Sequence, residues 1–237
     1  MVTVLVTTHK RPSFLIQCLN SLEAQRAHDF EVIVINDGSM NVEELIKLYG
    51  PAKKTTYVKH PHNKGLGSAR NTGIKLARGK YIMCLDDDDV FYPSHIFDLA
   101  VFLTTTSGAR VAFTDSHRAH QSPFLGGRLE ITKRENICPV DFTAKKMFGG
   151  NFIPVCCVMF EKKIIDEVGD FDETLESHED WDLWVRMAAH GIHFHHIKKI
   201  TAEISWRNDT MTANKKIMDS GRNKVALRAR KYLDKSK

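Results

Sequence analysis

The sequence predicts an α/β fold built on a Rossmann-like, doubly wound sheet that is mainly parallel. Three observations carry that expectation. Short apolar runs alternate with helical patterns through roughly the first hundred residues, at the spacing of strand–helix units. No internal repeat, linker or low-complexity tract interrupts them. Three polar clusters, Thr7–Arg11, Asn36–Ser39 and Asp86–Asp89, each begin where an apolar run stops. Sheets of this class bind ligands in the crevice outside the carboxyl ends of their strands, so the three clusters are expected to converge on one edge.

Taken in order, Val2–Thr7 is a continuous apolar strand, and Pro12 opens a helix carrying Phe14, Leu15, Cys18, Leu19 and Leu22. Phe30–Ile35 is the second strand, Val42–Tyr49 a short helix and Thr55–Lys59 the third strand. Gly67–Arg78 is helical, and Lys80–Leu85 is a strand leading into four aspartates. Beyond these, Val111–Asp115 and Phe152–Phe160 are predicted strands, and Gly126-Gly127 marks a hairpin between Ser116 and Lys133. Glu179–His190 is an amphipathic helix with Trp181, Trp184, Val185 and Ala188 turned inward. Ile192–Ile197 and Ile200–Trp206 are strands, and Met211–Leu233 is mostly helical. The whole chain is expected to form one domain: residues 1–115 as a ligand-binding half, 116–212 as a second half, and 213–237 as a basic terminal helix.

Composition narrows the function classes. The 237 residues are 42% hydrophobic and carry a net charge of +5, too mild for a dedicated nucleic-acid binder. No window approaches the roughly 18 apolar residues of a membrane span, and the amino terminus lacks the pattern of a signal peptide. The expected location is therefore cytoplasmic. The basic excess gathers from Lys215 to Lys237, where a helix could also touch an anionic membrane surface; the alternative is a solvated face. Five cysteines without a C-x-x-C pair suit buried free thiols better than zinc. His193, His195 and His196 alternate across a strand and do not converge on a metal.

Four clusters could carry chemistry. Adjacent carboxylates raise the cost of ionising one another. Asp86-Asp87-Asp88-Asp89 therefore calls for a nearby cation, and hard Mg²⁺ or Mn²⁺ bridging carboxylates to phosphates suits it. A solvated acidic loop is the alternative. Thr7–Pro12 offers hydroxyls, helix-start amides and Arg11 to a nucleotide, yet matches neither a P-loop nor a dinucleotide fingerprint. Asp37, in the turn after the second strand, could accept from the N3–H of uracil or simply form the turn. Asn63–Asn71 is a glycine-punctuated loop entering a helix, with Arg70 on its first turn. In Glu179-Asp180-Trp181-Asp182, three carboxylates exceed what a helix start requires, and one could serve as general base.

Together these motifs resemble a known family. Phe-Glu-Val-Ile-Val-Ile-Asn-Asp-Gly-Ser, Asn-Lys-Gly-Leu-Gly-Ser-Ala-Arg-Asn, Gly-Lys-Tyr-Ile-Met-Cys-Leu-Asp-Asp-Asp-Asp, Val168–Glu173 and Glu179–Trp184 follow one another over about residues 2–212. The chain is similar to family 2 glycosyltransferases, inverting enzymes of the GT-A fold with a smaller acceptor-side sheet. The resemblance implies transfer of a sugar, UDP-linked first among nucleotide sugars, to a glycan or lipid-linked glycan in bacterial-type surface polysaccharide synthesis. It implies Thr7, His9, Arg11, Asp37, Arg70 and Asp86 around the nucleotide, Asp88 on Mn²⁺ or Mg²⁺, and Asp180 as base. Asn151, Glu179 and Arg207 would lie toward the acceptor or diphosphate. His9 and Lys10 stand where the family favours an aromatic residue and asparagine, and Asn208–Thr212 lacks a histidine often found there. The competing expectations are a nucleotidyltransferase that makes sugar nucleotides and a module that only binds nucleotide or glycan.

Overall fold

The computed structural model describes residues 1–51, 54–123, 129–208 and 210–235. Among them, strands β1 (Val2–Thr8), β2 (Phe30–Asn36), β3 (Thr55–Lys59) and β4 (Tyr81–Asp86) lie parallel in the order β3-β2-β1-β4. Helices α1 (Pro12–Glu23), α2 (Glu43–Tyr49) and α3 (Leu66–Leu76) connect them. Every residue of β1 and β2 is buried, as expected for strands covered on both faces. Their side chains alternate between two apolar layers. Val2, Val4, Val6 and Leu85 join Leu15, Leu19 and Leu22 of α1 on one side, while Leu5, Ile33, Ile35 and Cys84 join Ile74 of α3 on the other.

The sheet continues past β4. β8 (Val158–Glu161) pairs antiparallel to β4 and to β6 (Val111–Pro123), and β9 (Phe194–Trp206) runs parallel to β6. β5 (Val90–Phe91) pairs with β9, and β7 (Leu129–Ile137) with β6. The strands on the acceptor side are thus continuous with the main sheet through β6, which also runs across positions 115 and 116. Helices α4 (His95–Thr105), α5 (Ala144–Gly149), α6 (Ile164–Val168), α7 (Glu179–Ala189) and α8 (Lys215–Lys235) complete the described elements.

Three expectations need correction or relocation. Phe152–Phe160 is not one strand: residues 155–157 form a 3-10 turn, and the strand starts at Val158. Pro154 has no N–H for a ladder, and the Ile153 carbonyl is taken by Trp184 Nε1 at 3.3 Å. The two strands expected on either side of Lys198-Lys199 are a single β9 whose register against β6 shifts at that point. The Gly126-Gly127 turn lies outside the described residues, although β6 and β7 do form the predicted hairpin arms. Cys18, Cys84, Cys156 and Cys157 are buried and Cys138 exposed, all as free thiols.

Candidate active site

The parallel register of β1 and β4 sets Thr7 beside Asp86 at the carboxyl edge of the sheet. Thr7 Oγ1 donates to Asp86 Oδ1 at 3.1 Å, and Thr8 Oγ1 to Asp87 Oδ2 at 2.7 Å. Asp88 Oδ2 accepts from two arginines: Arg11 Nη1 at 2.8 Å, from the turn before α1, and Arg207 Nη2 at 3.0 Å, just beyond β9. The Arg207 guanidinium also lies 3.9 Å above the Phe14 ring and 3.4 Å from Gln121 Oε1. Asp89 accepts from the Ser205 backbone N–H at 3.0 Å. The four aspartates therefore point to four different places. Burial pushes the Asp87 carboxyl up to about 7, helped by the charges of Asp88 and Asp86 and opposed by Thr8 and Arg11. Burial raises Asp88 and Asp89 as well.

Asp37 holds the neighbouring loop. Its carboxylate meets His60 Nδ1 at 2.7 Å and accepts from the backbone N–H groups of Lys64 and Gly65, both at 2.9 Å. The carboxylate expected to meet a base thus spends three hydrogen bonds on shaping the loop that enters α3. Gly38 permits this approach: with φ at +72°, a Cβ there would come within 2.2 Å of the His62 carbonyl carbon. His9 Nδ1 lies 2.7 Å from the Asp37 carbonyl oxygen. His9 is thereby placed at this edge.

Arg70 and Glu179 differ from the expectation that they line the pocket. Arg70 is 1% exposed and Glu179 is 3% exposed. Arg70 Nη2 donates to Asp86 Oδ1 at 2.9 Å, and Nη1 donates to Glu179 Oε1. Burial lowers the proton affinity of the guanidinium, but Asp86 and Glu179 more than reverse the effect. The reason for the displacement is α3's packing: its first two turns, Gly67 to Asn71, are buried. Asn71 exchanges two 2.9 Å hydrogen bonds with the backbone of Phe171.

The acids at the start of α7 divide in the same manner. Glu179 turns to Arg70, and Asp182 accepts from Arg186 Nε and Arg228 Nη1, each at 2.8 Å. Only Asp180 is partly exposed. Its Oδ1 accepts from the Trp181 N–H at 2.7 Å and its Oδ2 from Asn151 Nδ2 at 2.9 Å. Burial raises the proton affinity of Asp180, and the Arg70 charge opposes it. His178, immediately before α7, has φ at +62°, and Lys10 has φ at +59°; these are the two non-glycine positive-φ residues among those described. Both adjoin the site, where such strain tends to gather.

Among the described residues no three His, Cys, Asp or Glu side chains group to hold a metal by themselves. Asp86 and Asp88 nevertheless each engage one oxygen, Oδ1 and Oδ2 respectively, while the other accepts no side-chain hydrogen bond among the described residues. Mg²⁺-type sites often use one or two carboxylates, with substrate phosphates and water supplying the rest. The two uncommitted oxygens of Asp86 and Asp88 are of the hard carboxylate type that such a cation takes.

A sequence model of glycosyl transferase family 2 matches residues 3–169. The chain belongs to that family. Similar proteins include the uncharacterized glycosyltransferase YwdF of Bacillus subtilis, 28% identical over 187 residues, covering 79% of this chain and 68% of that protein. An uncharacterized glycosyltransferase of Rickettsia bellii is 30% identical over 220 residues, 89% of this chain and 29% of its own. This family 2 chain thus spans from under a third to about two thirds of these relatives. S. aureus TarS 1-349 in complex with UDP-GlcNAc aligns with a TM-score of 0.71 at 18% identity, over 90% of this chain and 60% of that one. The mannosyltransferase PcManGT of Pyrobaculum calidifontis, solved with GDP-Man and Mn²⁺, aligns at 0.65 and 14% identity, over 90% and 59%. These two likenesses establish the GT-A fold of this family 2 transferase. The family match stops at 169, so Asp180, Asp182 and α8 lie beyond it.

Patterning gave no site role to Gln121, Arg228 or the ring of Phe14; Thr8 and Asp182 stood inside clusters it marked, without a role of their own. Thr8 could have been found from strand register. Phe14 has the signal of an ordinary core position on α1, so its contact with Arg207 has no local mark.

Proposed function

We propose that this transferase moves a sugar, with inversion, from a nucleotide-sugar donor to a hydroxyl of a glycan or lipid-linked glycan. The reading rests above all on Arg70, which bonds Asp86 at the end of β4 and Glu179 at the start of α7. That link sets strand-end carboxylates and Asp180 at one site. A UDP-sugar is the first donor to test, since TarS was solved with UDP-GlcNAc and with UDP, although PcManGT carried GDP-Man. Thr7, His9 and Arg11 would receive the nucleotide, with Asp37 shaping the loop beside it.

Asp180 acts as base. Its raised proton affinity suits it to take a hydroxyl proton, and Asn151 fixes one of its oxygens. The acceptor oxygen forms a bond to the anomeric carbon as the bond from that carbon to the diphosphate oxygen breaks. The proton passes to Asp180 and the nucleoside diphosphate departs. A single displacement inverts configuration. Asp86 and Asp88 would hold Mn²⁺ or Mg²⁺, which supplies positive charge toward the leaving diphosphate. Arg11 and Arg207, both on Asp88, add cationic charge at the same place.

The acceptor belongs to surface-polysaccharide synthesis in this reading. No described helix is long and apolar enough to cross a membrane. α8 buries Gly221, Val225 and Ala229 and exposes Lys216, Arg222, Lys224, Arg230 and Lys231. A polybasic face of this kind suits an anionic membrane surface at which lipid-linked acceptors are met.

The decisive test is Asp180→Asn. Transfer or donor turnover should fall about 10²- to 10⁴-fold, while calorimetric affinity for UDP stays unchanged. Retained turnover would remove Asp180 from its role. NMR of the product's anomeric proton tests inversion.

A further inference from the structure

Arg70 and Glu179 make an ion pair that both sequence and fold isolate. The partners lie 109 positions apart, on α3 and α7, and both are almost wholly buried. A buried ion pair is a poor device for stability alone: well-packed apolar residues often serve as well or better. This one is also incomplete. Arg70 Nε and Glu179 Oε2 are two of the four buried side-chain polar atoms lacking a hydrogen-bond partner among the described residues. Such unsatisfied atoms call for a role other than packing.

The pair's neighbours indicate that role. Arg70 reaches Asp86 with one terminal nitrogen and Glu179 with the other. Glu179 is bonded through the chain to Asp180. On its other side stands His178 with its left-handed backbone, and Ser177 Oγ donates to the Ile217 carbonyl of α8 at 3.0 Å. Asp182 is tied to Arg186 and Arg228. The turn bearing Asp180 is therefore pinned at Ser177, Glu179 and Asp182, and only the Glu179 pin leads to the donor carboxylates.

We infer that the buried Arg70–Glu179 pair is a positioning strut that seats the turn bearing Asp180 against the end of β4, where Thr7 also holds Asp86. Glu179 sets where Asp180 stands and touches no substrate. The inference rests on the reading of Asp180 as base. It assigns Glu179 a place different from the acceptor or diphosphate side, because its carboxylate is closed off from both.

The test replaces the pair by apolar side chains of similar length, Arg70→Met together with Glu179→Met, with Glu179→Gln as a milder variant. UDP affinity is measured by calorimetry with Mn²⁺, UDP release from UDP-GlcNAc by a steady-state assay, and folding by thermal midpoint. The strut predicts a folded double variant and UDP affinity within about three-fold of wild type. It also predicts an unchanged donor KM and a kcat lower by about 10²-fold, the size expected for a misplacement near 1 Å. Glu179→Gln should show the same split in smaller measure, which keeps the question answerable if the double variant does not fold. A double variant with wild-type kcat overturns the strut, because packing alone would then suffice. Parallel losses of UDP affinity and kcat overturn it too, placing the pair in the donor pocket. Wild-type protein that neither binds UDP nor releases it from UDP-GlcNAc brings down the functional reading itself, and the strut with it.

Discussion

Two acidic runs meet across Arg70, and their carboxylates are compensated in opposite ways. Asp86–Asp89 ends a parallel strand, where no local backbone dipole gathers to support negative charge. Its partners come from far along the chain: Thr7, Thr8, Arg11, Arg70, Ser205 and Arg207. Glu179–Asp182 opens a helix, where the macrodipole favours acids, and Asp182 finds Arg186 one turn ahead. The strand-end run is held in an unfavourable charge state, with Asp87, Asp88 and Asp89 all pushed toward protonation. In the helix run burial raises Glu179 and Asp180 as well, against the Arg70 charge, but Asp182 is held between Arg186 and Arg228. The lesson is that one run keeps charge for a ligand and the other chiefly for architecture.

That contrast can be broken by paired substitutions. Asp88→Asn should show the largest effect, lowering Mn²⁺-supported donor turnover about 10²- to 10³-fold, while the thermal midpoint holds or rises. A fall in both would make Asp88 an architectural residue. Asp182→Ala should do the reverse and cost about 1–2 kcal/mol by urea unfolding, since Arg186 and Arg228 lose a buried partner but keep the Val168–Asp170 carbonyls and Asp172. UDP affinity measured on the remaining folded protein should be unaltered.

A pH effect of similar size tests whether the two regions share one unfolding unit. His95, on α4, lies 2.6 Å from Thr201 Oγ1 and 3.0 Å from the Cys156 carbonyl, and burial pushes it down to about 3. The unfolded chain takes up this proton near pH 6.5 whereas the folded chain resists until about 3, so stability falls as pH drops through that window. Asp87, raised to about 7, works in the opposite sense over the same range, so the prediction is for the difference in slope between wild type and His95→Gln: about 1.4 kcal/mol per pH unit, or roughly 2 kcal/mol by pH 5. An unchanged slope would show that this histidine is not kept neutral by the fold.

Much of the fold was legible because β1 to β4 and α1 to α3 obey local periodicities, and parallel strands put their polar ends on one edge. Asp180 and its neighbours were legible as an acidic excess at a helix start. What escaped depends on partners distant in sequence. Arg70 looks like a first-turn surface arginine until Glu179, 109 residues later, is packed beside it. Asp37 reads equally as an acceptor for a base or as a turn former, because the loop whose N–H groups it takes closes over it only in three dimensions. α4 did carry a helical signal in Ile96, Leu99 and Leu103, overshadowed by the aspartates and Pro93 before it. The 3-10 turn at 155–157 hid within a run whose apolar residues suit a strand equally well.

Gly221 gives this organisation a direction in time. A Cβ at that position would fall 2.2 Å from Ser177 Oγ and 2.6 Å from the Ser177 carbonyl oxygen, so α8 sits directly on the turn that leads to Asp180. During synthesis, at roughly 5–20 residues per second, Arg228 follows the aspartate run by about seven to twenty-eight seconds. Through most of that interval β1 to β4 can pair, but Ser205 and Arg207, which hold Asp89 and Asp88, are still missing, as is the seat of Asp180. A nascent chain would therefore carry its strand-end carboxylates before the last of the residues that offset their charge, and donor site and base would be completed together, late in synthesis.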